Sequence, residues 1–208
     1  HARIDTYDPH LKRLQAEQRL ATCPGMELTG SPLPINHQNA FPLIHKARTQ
    51  NGGGPLTDVN PITQIERLAF WDDKSDKLVQ QNHPNLAQIL YDKDLDGKPD
   101  EGFARMLSFM DVVEVHPPAR IFDVEESAKP GSNRMRQWLR LLNLGYRIPG
   151  VANTDAHYNF HGSGWLRNYL RSPTDDPAHV KPLDIAHAAE AGHVIITNGP
   201  RSEERRVG

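Results

Sequence analysis

One cysteine, Cys23, stands in 208 residues, so the chain can form no internal disulfide and no thiolate zinc knuckle. No stretch approaches the ~18 consecutive apolar residues of a membrane-spanning helix. An excess of one charge is lacking too. The 24 Lys and Arg against 26 Asp and Glu leave a formal net charge of −2, which provides no field to attract nucleic acid or an anionic membrane. The chain starts at His1 without the basic and apolar regions of a signal peptide, and the compartment stays open. Familiar nucleophile and phosphate signatures are missing as well. The Gly-rich stretch from Asn51 to Pro55 is not followed by Lys-Ser/Thr, which excludes a P-loop. Ser163 lies in Gly-Ser-Gly without a Gly-x-Ser-x-Gly elbow, and Cys23 stands before a proline with no motif around it. A serine or cysteine hydrolase therefore has little to rest on.

The chain does contain enough apolar residues, 37% against 24% charged, for one soluble domain with a single core. Seventeen prolines and 15 glycines, with a mean hydropathy of −0.64, predict much connecting loop. Residues 1–200 read as the domain. Residues 201–208, Arg-Ser-Glu-Glu-Arg-Arg-Val-Gly, turn abruptly to charge after an apolar strand. They resemble a translated sequencing adapter, or else a solvated tail, and carry no weight in the fold.

Helix and strand patterns alternate along the domain. Asp8-Pro9 opens a helix to about Leu20, since proline suits the first helical turn. Residues 25–29 and 33–37 read as short strands. Asn60-Pro61 starts a helix with Ile62, Ile65, Leu68 and Ala69 on one face. Residues 77–81 form a strand ending at Asn82-His83-Pro84. A helix over 101–110 precedes a strand over 111–115 that ends at His116-Pro117. Ser132 caps a further helix, with Met135, Trp138, Leu139 and Leu142 at i, i+3, i+4 and i+7 and Gly145 closing it. A strand over 148–153 runs into Thr154-Asp155-Ala156-His157, and a helix over 182–191 precedes a last strand over 194–197. Such alternation predicts an α/β fold with a parallel sheet, open or closed into a barrel. The ligand-type residues Glu27, His37, His83, Asp155 and His157 at strand ends favour the barrel, whose chemistry collects on that rim.

Asp155 and His157 lie two apart at a strand end, so both side chains point to one face. A carboxylate and an imidazole together suit a divalent cation with mixed oxygen and nitrogen ligands. One such pair is commonplace. Glu27, His37 and His83 at neighbouring strand ends turn it into the description of a multinuclear hydrolytic site. Arg167 offers a planar fork for phosphate or carboxylate, or else a surface ion pair. His116, at another strand end, is a candidate ligand or substrate contact, or else a satisfied core histidine. Separately, Asp92, Asp94, Asp96 and Asp100 hold positions 1, 3, 5 and 9 of a calcium loop, with Gly97 at position 6. Phe103 stands where a complete EF-hand has its bidentate glutamate, so a structural calcium loop is weighed against a solvated acidic turn.

The succession Gly25-Met-Glu27, His37-Gln-Asn-Ala-Phe-Pro-Leu43, Asn82-His-Pro84 and Asn153-Thr-Asp-Ala-His157 resembles the polymerase-and-histidinol-phosphatase (PHP) metallohydrolases. Within that superfamily it is most similar to the carbaryl-hydrolase-like branch. Residues 162–169, 175–177 and 196–200 fit the same branch, so the likeness spans nearly all of residues 1–200. The resemblance implies a distorted (β/α)7 barrel, incomplete at its N-terminus, with two or three divalent ions (Zn, Mn or Fe). Glu27 would bridge metals, His37 and His83 would bind one of them, and Asp155 and His157 would complete the others. His1 resembles the histidine closing the family's second motif. The family's first His-x-His motif should lie before His1, so the chain expressed alone is expected to be poorly folded or inactive. The implied activity is metal-dependent hydrolysis, in which a hydroxide held between metals roughly 3.5–4 Å apart attacks a phosphoester or a carboxylic or carbamic ester. Small-molecule esters or phosphoesters are then the partners, with no nucleic acid and no membrane. The alternative is an inactive PHP-like binding module with a structural calcium loop.

Overall fold

A computed structural model describes residues 7–30, 37–47, 52–94, 96–115, 133–155 and 166–197. In chain order these form α1 (Tyr7–Leu14), β1 (Met26–Thr29), β2 (His37–Phe41), α2 (Pro61–Ala69), α3 (Trp71–Lys74), β3 (Leu78–Gln81), α4 (Leu86–Leu90), α5 (Phe103–Leu107), β4 (Val112–Glu114), α6 (Arg134–Asn143), β5 (Gly150–Val151), β6 (Arg167–Leu170), α7 (Pro182–Glu190) and β7 (Val194–Thr197). His1, His116, Ser132, His157 and residues 33–36 and 201–208 lie outside the described residues.

The expected barrel is not what the chain forms. Strands β1 to β5 make one mixed sheet in the order β1-β2-β3-β4-β5, and among the described residues β6 pairs only with β7. The cause is β2. It runs antiparallel to both β1 and β3, while β3, β4 and β5 are parallel. A parallel barrel needs a crossover between successive strands and a final pairing of first with last. Here β1 and β5 are the sheet's two edges among the described residues.

The sheet is covered on both faces, and side-chain alternation sorts its residues between them. Met26, Leu28, Ala40, Val79, Val113 and Val115 join Ile65, Leu68, Ile89, Met106 and Leu141 from α2, α4, α5 and α6 in the larger core. On the opposite face Phe41, Leu78, Val112 and Val151 pack against Ala186 and Ala189 of α7, Leu170 of β6 and Val194 of β7. Asn168 fastens the small sheet to the large one: its side-chain amide pairs with the N–H and the C=O of Ala152, both at 2.8 Å.

Local chemistry explains most element ends. Asn60 accepts from the amides of Ile62 and Thr63 at the start of α2, the capping that satisfies a helix's orphan N–H groups. Gln64 joins Ile65 and Leu68 on the buried face of α2 because its amide bonds Gln38 Oε1 at 3.2 Å and the Leu28 carbonyl at 3.4 Å. Helix α1 stops at Leu14, earlier than its pattern suggests, and Gln15 takes φ +52°. Helix α6 is capped by Asn133, whose side chain accepts from the Arg136 amide.

Candidate metal centre

Running in the same sense, β1, β3, β4 and β5 end at the edge of the sheet where β2 begins. His37 therefore does not end a strand: β2 continues from it to Phe41, while residues 33–36 lie outside the described residues. The result is still convergence. Register puts Asn39 opposite both Glu27 and Gln80, and Thr29 opposite His37. By alternation Glu27, His37, Asn39, Gln80 and Glu114 share the face that carries the smaller core. That core fills only the near half of the face. The polar residues occupy the half towards the strand ends.

Glu27, His37 and His83 each offer a ligand atom, and these atoms lie within 4.8 Å of one another. The two imidazole rings are 5.0 Å apart, centre to centre. His37 Nδ1 is 3.2 Å from Glu27 Oε1, and His83 Nε2 is 3.8 Å from Asp155 Oδ2. Asn82 holds the glutamate: its Nδ2 donates to Glu27 Oε1 and to Asn39 Oδ1, both at 3.0 Å, and its own Oδ1 accepts from Gln80 Nε2 at 2.6 Å. Both ring nitrogens of His37 and Nδ1 of His83 are buried, yet none has an aligned hydrogen-bond partner. Glu27 Oε1 stands 3.2 Å from His37 Nδ1, and Glu114 Oε2 stands 2.9 Å from His83 Nδ1.

His83 and Asp155 both adopt left-handed backbone, each with φ +48°. For residues with a side chain this costs about 1–3 kcal/mol and persists only where the surroundings impose it. Behind His83 the imposing group is Glu114, 1% exposed at the end of β4. Its Oε2 accepts from the His83 backbone N–H at 2.8 Å and lies 2.9 Å from His83 Nδ1 and 2.9 Å from Arg134 Nη1. Burial alone would raise the Glu114 carboxyl. The contact with His83 and the charge of Arg134 outweigh it and hold that group below the ordinary glutamate value. Burial lowers His37 below the ordinary imidazole value, and neighbouring His83 adds to this against the opposite pull of Glu27 and Asp155. A neutral imidazole keeps a lone pair for a cation.

Comparison with protein-family models, curated proteins and solved structures finds no match to this chain.

Of the candidate residues, Glu27, His37 and His83 are brought together, with Asp155 exposed at the mouth. His1, His116 and His157 fall outside the described residues. Arg167 is exposed on β6; since its neighbour Asn168 faces Ala152, alternation turns Arg167 the other way. The cation beside the cluster is Arg134, at the first turn of α6. Neither Glu114 nor Arg134 is among the candidates named from the sequence. A signal existed for the first: a carboxylate inside Val-Val-Glu-Val is buried charge, which demands a partner. Arg134 carries no such signal.

Three of the four loop aspartates also converge, Asp92, Asp94 and Asp100. Asp92 accepts from the amides of Asp96 and Gly97 at 3.1 and 2.9 Å, and Gly97 supplies φ +81° for the turn. Asp96 does not join them. Its carboxylate binds the Lys98 backbone and ammonium at 2.8 and 3.0 Å.

Proposed function

We propose that this chain carries the centre of a metal-dependent hydrolase, with Glu27, His37 and His83 as the principal ligands and phosphoesters or carboxylic or carbamic esters as substrates. The observation that carries the reading is His37. Both of its ring nitrogens are buried without an aligned partner, beside a carboxylate and a second imidazole. Leaving a buried polar group unsatisfied costs about 1–3 kcal/mol, a cost that a cation at this point removes. Nitrogen and oxygen donors without thiolate suit zinc, manganese or iron. The order of motifs that resembles the PHP metallohydrolases supports the same chemistry, although the sheet departs from their barrel.

A divalent cation bound here would supply Lewis acidity and lower the pKa of a water towards neutrality. The chain's own residues prepare for it. Asn82 fixes one oxygen of Glu27, so the carboxylate meets a cation in one orientation. Burial pushes the His37 imidazole below its ordinary value, which favours the form with a free lone pair. Asp155, exposed and near His83 Nε2, stands where a carboxylate can accept a proton from an incoming water.

The test is metal content and zinc, manganese and iron titration of the protein, followed by a panel of phosphoester and ester substrates. Wild type should retain metal and hydrolyse at least one class. His37→Ala and His83→Ala should each bind metal more than about 100-fold more weakly, beyond the usual cost of losing an outer partner. Equal metal binding in wild type and both variants rules the assignment out.

A further inference from the structure

We infer that Glu114, backed by Arg134, is a positioning residue that fixes His83 for cation binding; this rests on the metal-centre reading above. The argument is one of convergence on a single atom. Glu114 Oε2 receives the His83 backbone N–H at 2.8 Å, stands 2.9 Å from the ring Nδ1, and takes Arg134 Nη1 at 2.9 Å. It therefore grips His83 at two points, main chain and ring, and is itself gripped by a cation. The main-chain contact is a hydrogen bond, and the ring contact is a close approach of carboxylate and imidazole.

The residue being held needs holding. His83 sits at φ +48°, a conformation uncommon for residues other than glycine. It precedes Pro84, which disfavours helical backbone at the preceding residue. With Nδ1 turned to Glu114, the other nitrogen, Nε2, faces Asp155 at 3.8 Å. A histidine that presents one nitrogen to a cation and the other to a carboxylate has its orientation set and its basicity raised. Glu114 cannot serve as an ordinary surface acid, since it is 1% exposed. Arg134 supplies the counter-charge that a buried carboxylate needs in that place.

A merely structural ion pair would stabilise the fold without affecting how the cation is held, and the experiment separates the two. Zinc affinity and the visible spectrum of the cobalt(II)-substituted protein are measured for wild type, Glu114→Gln, Arg134→Met and Arg134→Lys, with thermal unfolding of the metal-free forms alongside. The inference predicts zinc binding weakened about 10–100-fold in Glu114→Gln and Arg134→Met, with an altered cobalt spectrum. Arg134→Lys, which keeps the charge, should recover most of the loss. Should Glu114→Gln fail to fold, Arg134→Met carries the comparison. Variants that melt earlier yet match wild type in zinc affinity and cobalt spectrum overturn the positioning role and leave the metal centre standing. No saturable zinc site in wild type overturns the metal centre, and the inference with it.

Discussion

Asp111, at the foot of β4, shows how a single buried carboxylate couples the sheet to pH. Its Oδ2 accepts from the Val79 amide at 2.7 Å. Burial raises its pKa; the Val79 bond and Lys77 oppose this, and Asp76 adds to it, leaving the group above the ordinary aspartate value. A raised folded-state pKa contributes stability that is full below the unfolded value, about 3.9, and is lost as pH rises through the folded value. Asp111→Asn keeps an oxygen for Val79 and removes the charge. Urea unfolding across a pH series should therefore show wild type losing stability relative to the variant as pH rises from about 4 towards neutrality. Parallel profiles would contradict this. Cys23 gives a second check at this scale: burial pushes its thiol up to about 11, and the thiolate is the reactive form. Iodoacetamide at pH 8 should label the folded protein slowly and the urea-unfolded protein readily.

Among elements, α6 separates what periodicity can show from what packing decides. The apolar spacing nominates Met135, Trp138, Leu139 and Leu142, yet the fully buried positions are Met135, Gln137 and Leu141, and Leu139 is 42% exposed. The helix is rotated because Gln137 is recruited inward: its Oε1 accepts the Leu86 amide at 3.1 Å, one of the orphan N–H groups at the start of α4. Leu141→Ala should cost about 2–5 kcal/mol, while Leu139→Ala should stay within about 0.5 kcal/mol, both by denaturant unfolding. The reverse order would mean the helix sits in the phase that its sequence suggests. Strand β2 was illegible for a related reason. His-Gln-Asn-Ala-Phe offers little apolar alternation, because Gln38 is buried through bonds to the Gln81 side chain and the Pro61 carbonyl. Helix α2, by contrast, was readable at both its cap and its buried face, because Asn60-Pro61 and the Ile65–Leu68 spacing act locally.

For the whole molecule, Glu27, His37 and His83 could be nominated from sequence, and their ligand atoms lie within 4.8 Å of one another at one end of the sheet. Closure into a barrel could not be read, since it depends on the direction of β2 and on whether the edge strands pair. The fold makes the site through a division of one sheet face. Phe41, Leu78, Val112 and Val151 are covered by α7 and the β6–β7 pair, and beyond that cover the same face turns to Glu27, His37, Asn82 and Glu114. No helix among the described residues is long and apolar enough to cross a membrane. The central claim concerns what those side chains gather around. Crystals grown with zinc, with data collected across its absorption edge, test it most directly. The account predicts an anomalous peak about 2.0–2.2 Å from a Glu27 oxygen and from a nitrogen of both His37 and His83; a map with no peak among these three residues, at full zinc occupancy elsewhere or nowhere, would contradict it.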